Sequence, residues 1–169
     1  MIRKIISSGE KGVAEAALEA AAELGLSSGG WTDEATLAGQ HDLVDRFGLQ
    51  GVETGGVQEA DRLNMLEADA ALTLTRGGTD SRVRQIRRLC KSSGKPHLHL
   101  DLQTTGAFQA ATDLAQWISG AGIQVLYITG SEAGRDPALA GVVRDLLESF
   151  FYLDLMPAGT ASGDRRPAM

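Results

Sequence analysis

At 169 residues, with 43% apolar and 22% charged side chains, the chain suits one globular domain with a substantial buried core. Its formal net charge of −6 argues against a general nucleic-acid binder, because a phosphate backbone demands a basic surface. Cys90 is the only cysteine, which excludes an intrachain disulfide and a cysteine metal cluster, and no window reaches the ~18 apolar residues of a membrane span.

The opening MIRKIISSGEKG has a basic start but no apolar run of signal-peptide length, so a cytoplasmic location is expected. Residues 3–7 (RKIIS) read as a short β-branched strand, followed by the loop SGEKG. The Ala-rich VAEAALEAAAELG has helical spacing and stops at Gly25, so the segment opens a βαβ unit. LSSGGW is a second strand or extended segment. Residues 32–56, with weak periodicity and five glycines, read as an irregular excursion holding at most one short helix or strand.

Residues 57–68 predict a helix with Leu63, Met65 and Leu66 at its apolar positions, and DAALTLT a buried strand. The loop RGGTD leads into a helix over 81–91, whose Arg82, Arg84, Arg87 and Arg88 read as a solvated face and whose Cys90 reads as a small half-buried residue. HLHLDL after Pro96 is a strand, residues 108–120 a helix, and GIQVLYIT the last core strand. A third loop over 130–136 follows, and Pro137 opens a final helix to about residue 153. In that helix LLESFFYLDLM carries more apolar bulk than one face can bury, so part of it is expected against a partner subunit or under the tail. The tail, 156–169, is expected to be disordered.

This alternation specifies an α/β Rossmann-like domain over 1–155, a three-layer α/β/α sandwich around a mostly parallel sheet of about five to seven strands. In such sheets ligands bind at the carboxyl ends of the strands. Three Gly-containing loops fall there: SGEKG, RGGTD and the loop opened by Gly130-Ser131. Each leads into a helix whose N-terminal amides attract an anion. A small phosphorylated ligand is therefore the expected partner, with Gly9, Glu10, Lys11, Gly12, Arg76, Gly77, Gly78, Thr79, Gly130 and Ser131 around it.

Lys11 and Arg76 read as a charge pair gripping phosphate, or as ordinary loop charges. Thr79 reads as a helix cap that also offers a hydroxyl. Trp31 would stack on a flat heterocycle or cover the core edge. Glu10 and Glu132 read as exposed loop acids unless the protein is a hydrolase. His97 and His99 share one face of their strand with Asp101, but no further ligand stands at metal-binding spacing. No metal site and no catalytic residue is assigned.

The segments IISSGEKGVAEAALEAAAELGLSSGGW, DLVDRFGLQ, RLNMLEADAALTLTRGGTD, GKPHLHLDL and YITGSEAGRDP resemble, in order and spacing, the molybdenum-cofactor carrier family over Ile2 to Phe151. The resemblance implies a Rossmann-like fold related to the cytokinin-activating phosphoribohydrolases, assembly as a dimer or tetramer, and binding of molybdenum cofactor, a pterin with a terminal phosphate. It carries over Gly9, Gly12, Trp31, Asn64, Arg76, Gly77, Gly78, Thr79 and Gly130. The chain departs from the family's GGQTGVDRAALD-type loop at Glu10-Lys11 and Ala14-Glu15, and lacks the proline and arginine of its last loop. The phosphoribohydrolase signature P-G-G-x-G-T-x-x-E is absent, since GGTDSR has neither its spacing nor its glutamate. The expected role is a binding or carrier protein for a phosphate-bearing pterin or nucleotide-like ligand. The alternatives are a nucleotide N-glycosidic-bond hydrolase and an oligomeric scaffold with a degenerate site.

Overall fold

The computed structural model describes residues 1–132 and 136–155; the tail expected to be disordered, and the middle of the third loop, lie outside them. Among the described residues six strands form one sheet: β1 (Lys4–Ile6), β2 (Ser27–Thr32), β3 (Leu49–Gly51), β4 (Ala70–Thr75), β5 (His97–Asp101) and β6 (Val125–Gly130). Their order is β3-β2-β1-β6-β4-β5, and every pairing is parallel. Seven helices connect or follow them: α1 (Val13–Glu23), α2 (Glu34–Gly39), α3 (Leu43–Phe47), α4 (Gly56–Glu67), α5 (Ser81–Ser93), α6 (Ala107–Ala121) and α7 (Leu139–Leu155). The three-layer α/β/α architecture is the expected one.

The two faces of the sheet differ in chemistry. One buries Ile5, Leu72, Leu74, Leu126 and Ile128 against α1, α6 and α7 in a dry aliphatic core. The alternate residues, Ile6, Ala71, Thr73, Thr75, Tyr127 and Thr129, turn to the other face, where α4 and α5 pack. That second layer mixes Met65, Ile86 and Cys90 with buried Asp61 and Asn64. A single period-2 strand pattern thus assigns aliphatic side chains to one layer and a mixture of apolar and polar ones to the other.

Several expectations are corrected. The excursion at 32–56 holds two short helices and a strand, because Leu43, Phe47 and Leu49 pack with Leu18 into a small cluster of their own. Gly48 ends α3 in the left-handed conformation and lets the chain turn straight into β3. In α4 the buried face is Ala60, Asp61, Asn64 and Met65, whereas Leu66 is exposed. The final helix starts at Leu139, after the turn that contains Pro137. It buries Leu146, Leu147, Phe150 and Phe151 within the chain and leaves Tyr152 exposed. Cys90 is fully buried on the inner side of α5.

Topology places the loops. From β1 the chain crosses through α1 to β2, toward one edge of the sheet. From β4 it crosses through α5 to β5, toward the other edge and over the opposite face. Right-handed crossovers leaving in opposite directions open a crevice between their helices. Here β6 runs between β1 and β4, so the crevice lies over its carboxyl end.

Candidate functional site

The first and third loops are joined directly. The Val13 N–H donates to the Ser131 carbonyl (3.3 Å), and Gly12 and Glu132 form an antiparallel bridge. The Ser131 N–H in turn donates to the Leu74 carbonyl (3.3 Å), tying the third loop to β4. Gly130 is required at this junction: a Cβ there would lie 2.0 Å from the Leu74 carbonyl oxygen. Gly9 adopts a positive φ of 77° and packs beneath Leu43 and Leu49, so it shapes the first loop.

A cleft of about 260 Å³ opens over this junction. Among the described residues it is lined by Lys11 and Ala14 on the α1 side and by Asp80, Ser81, Arg82 and Gln85 on the α5 side. Thr129, Gly130, Ser131, Glu10 and Glu132 complete it. The N-termini of two helices from opposite faces of the sheet therefore flank one space. A second compartment of about 430 Å³ shares Glu10, Lys11 and Glu132 and runs on to Ala35, Thr36, Gly39 and Gln40 around α2.

Arg82 lines the cleft, and its assignment to a solvated helix face is corrected. Its side chain is only 18% exposed. One Nη2 donates to Asp61 Oδ1 (2.9 Å) and lies 3.4 Å from each of Glu10 Oε1, Ser8 Oγ and Thr129 Oγ1. Behind it Tyr127 donates its hydroxyl to the same Asp61 oxygen (2.7 Å). Burial opposes the charge on Arg82, but Tyr127, Asp61 and Glu10 around it outweigh that and hold its pKa above the ordinary value. Burial pushes the Asp61 carboxyl up to about 6, against the pull of Arg82 and Tyr127. Glu10 is fixed from its other oxygen by the Ser8 hydroxyl, which donates to Oε2 at 2.5 Å.

The other expected site residues are distributed differently. Arg76 turns away from the cleft and forms a bidentate pair with Asp136 (2.7 and 2.6 Å). The Gly77 and Gly78 N–H groups donate to the Asp101 carboxylate (2.9 and 2.8 Å), so the strand-end aspartate already fills that backbone cradle. The Gly77 amide, with those of Gln103 and Gly78, holds the Asp101 carboxyl below the usual range. Thr79 is exposed, and Asp80 rather than Thr79 caps α5, accepting from the Val83 N–H at 3.0 Å.

Trp31 lies outside the cleft, in a separate groove with Gln50, Val52 and Leu63, and donates from Nε1 to Glu67 (3.3 Å). Asn64 clamps the backbone of β2 from α4, accepting from the Trp31 N–H (2.7 Å) and donating to its carbonyl (3.0 Å). His97 and His99 bond across the sheet to Thr73 and Thr75. Among the described residues no group of three His, Cys, Asp or Glu side chains is placed to hold a metal.

Sequence reasoning read Arg82 as part of a solvated face and did not single out Asp61, Tyr127, Ser8 or Thr129. One usable signal existed: α4 carries Asp61 and Asn64 at the i,i+3 spacing that shares a face with Ala60 and Met65. Polar groups on a buried helix face need partners, and Arg82 and the β2 backbone supply them.

The strand order carries a further identification. Renumbering β4, β5, β6, β1, β2, β3 as one to six turns β3-β2-β1-β6-β4-β5 into 6-5-4-3-1-2, which from the other edge is the doubly wound order 2-1-3-4-5-6. The chain thus has the sheet of a doubly wound protein entered halfway along its circuit. The family model described as the circularly permutated YpsA SLOG family matches residues 5–151. A crystal structure of a "Putative molybdenum carrier protein" from Syntrophus aciditrophicus SB is similar with a TM-score of 0.82 at 33% identity, over 88% of this chain and 94% of that one. No curated protein matches. Topology, family model and solved relative agree, and the chain belongs to the circularly permutated YpsA SLOG family.

Proposed function

We propose that the protein binds a phosphate-bearing small molecule in the cleft between α1 and α5, with Arg82 and Lys11 as its cationic contacts. The observation that carries this reading is the Arg82 guanidinium, 18% exposed, at the floor of a cleft flanked by two helix N-termini. A helix N-terminus offers unpaired N–H groups and a partial positive charge, and a guanidinium binds phosphate through a planar fork. Asp61 and Tyr127 keep that fork in place. Lys11 is exposed and lines the same cleft, where it adds a second positive charge.

The solved relative's description extends the reading to molybdenum cofactor. The phosphate end of such a ligand fits the cations and amides of the cleft. Its flat pterin ring does not fit as well: among the described residues, neither compartment offers an aromatic side chain. A nucleotide-like ligand is the companion reading, with its phosphate in the first compartment and the remainder extending toward α2. Hydrolysis of an N-glycosidic bond is favoured only by Glu10, a carboxylate beside the guanidinium. Incubation with nucleoside monophosphates and chromatography for released base tests it.

Calorimetric titration with phosphorylated ligands tests the binding site. Lys11→Ala removes an exposed charge and is expected to weaken binding about fivefold, the worth of roughly 1 kcal/mol. Arg82→Lys keeps the charge but loses the fork, and about tenfold or more is expected. Affinity unchanged in both variants would place the phosphate elsewhere.

A further inference from the structure

The cleft is an unusual place for a bare anion, because it contains its own. Glu10 Oε1 stands 3.4 Å from Arg82 Nη2, and Asp80 and Glu132 also line the space. The two carboxylates on Arg82 differ in kind. Asp61 is the closer, at 2.9 Å, and its side chain is 1% exposed, so no ligand can take its place. Glu10 is farther, 17% exposed, and faces the cleft itself. An entering phosphate therefore meets Glu10 as its competitor for the guanidinium.

The rest of the lining says what would offset that repulsion. Ser81, Thr129 and Ser131 present hydroxyls and Gln85 an amide, and among the described residues the lining of the cleft includes no aromatic side chain and no aliphatic one larger than Ala14. A carboxylate accepts hydrogen bonds and donates none. A ligand with hydroxyl groups beside its phosphate can donate to Glu10 while its phosphate takes Arg82, Lys11 and the helix amides. A ligand whose phosphate adjoins a flat ring or an alkyl group brings no donor for Glu10 Oε1, so while the phosphate takes Arg82 the carboxylate keeps only the Ser8 hydroxyl on Oε2, and a half-buried charge short of partners is costly.

We infer that Glu10 is the specificity-determining residue of the site, a built-in counter-ion that admits sugar phosphates and other polyhydroxylated phosphate esters and repels simple phosphates. The inference rests on the phosphate-binding reading above and narrows it to one ligand class.

The test is calorimetric titration of the full chain and its Glu10→Gln variant with ribose 5-phosphate, ethyl phosphate and phenyl phosphate. The glutamine side chain is isosteric with glutamate, and its amide oxygen can still accept from Ser8. The native protein is expected to prefer ribose 5-phosphate over the other two by about tenfold or more, one charge-assisted hydrogen bond's worth. In Glu10→Gln, ethyl and phenyl phosphate should bind roughly tenfold tighter and the preference should collapse toward unity. An unchanged preference in Glu10→Gln, or weaker ethyl phosphate binding, overturns the inference while leaving the phosphate site standing. Binding of none of the three esters to either protein overturns the phosphate reading as well.

Discussion

Arg82 can stay charged at the floor of the cleft only because Asp61 and Glu10 share its guanidinium and Tyr127 holds Asp61 from behind. The histidines of β5 form a second polar set on this face. His97 Nε2 lies 2.8 Å from Thr73 Oγ1, and His99 spans Thr73 and Thr75 at 3.0 and 3.2 Å. Burial, with Arg87 nearby, pushes the His97 pKa down from 6.5 to about 4. The unfolded chain therefore binds the extra proton first. Stability from neutral His97 is fully present above pH 6.5 and is lost as pH falls toward 4. Asp61, with its carboxyl pushed up to about 6, works in the opposite direction, so the comparison must isolate one residue. His97→Gln keeps a partner for Thr73 but cannot titrate. Between pH 7.5 and 5 the native protein should lose more melting temperature than this variant, and parallel curves would contradict the assignment. The alternation that puts His97 and His99 on one face was legible in the sequence. Their partners on β4 were not, because a neighbouring strand and its register are properties of the sheet.

At the scale of elements, close approach at two seams fixes the site. Gly130 brings β6 against β4 where a Cβ would be 2.0 Å from the Leu74 oxygen, and Gly30 brings β2 against Ser7, where it would be 2.1 Å from that carbonyl. Backbone cannot yield as a side-chain tip can, so Gly130→Ala should destabilise by about 3 kcal/mol or more. Gly120, inside α6 with nothing within 4 Å of its Cβ position, should behave oppositely, gaining about 0.5 kcal/mol as Ala. Denaturant melts of both variants check the contrast in sign. Elsewhere, long side chains finish the helix ends: Lys95 Nζ reaches the Met65, Leu66 and Ala68 carbonyls at the C-terminus of α4. Strong periodicity made α1, α5, α6 and the core strands legible. The excursion after β2 was not, since a five-residue helix such as α3 shows too little period and is held by tertiary contact with Leu18. The loop RGGTD was legible as a strand-to-helix turn but not as one already filled by Asp101 and Asp136.

For the whole molecule, the strand order decides where anything can bind. The sheet switches direction across β1, β6 and β4, and the helices leaving β1 and β4 lie on opposite faces with their N-termini converging over β6. Convergence of the first and third loops follows from that order, and so does the entry of Arg82 on the first turn of α5. The most direct test is an amide chemical-shift titration of the full chain with ribose 5-phosphate. The largest shifts are expected at the amides of Ala14, Ser81, Arg82 and Ser131, around the cleft. Shifts concentrated instead at Gly77 and Gly78 or around Trp31, with the cleft amides unmoved, would contradict the account.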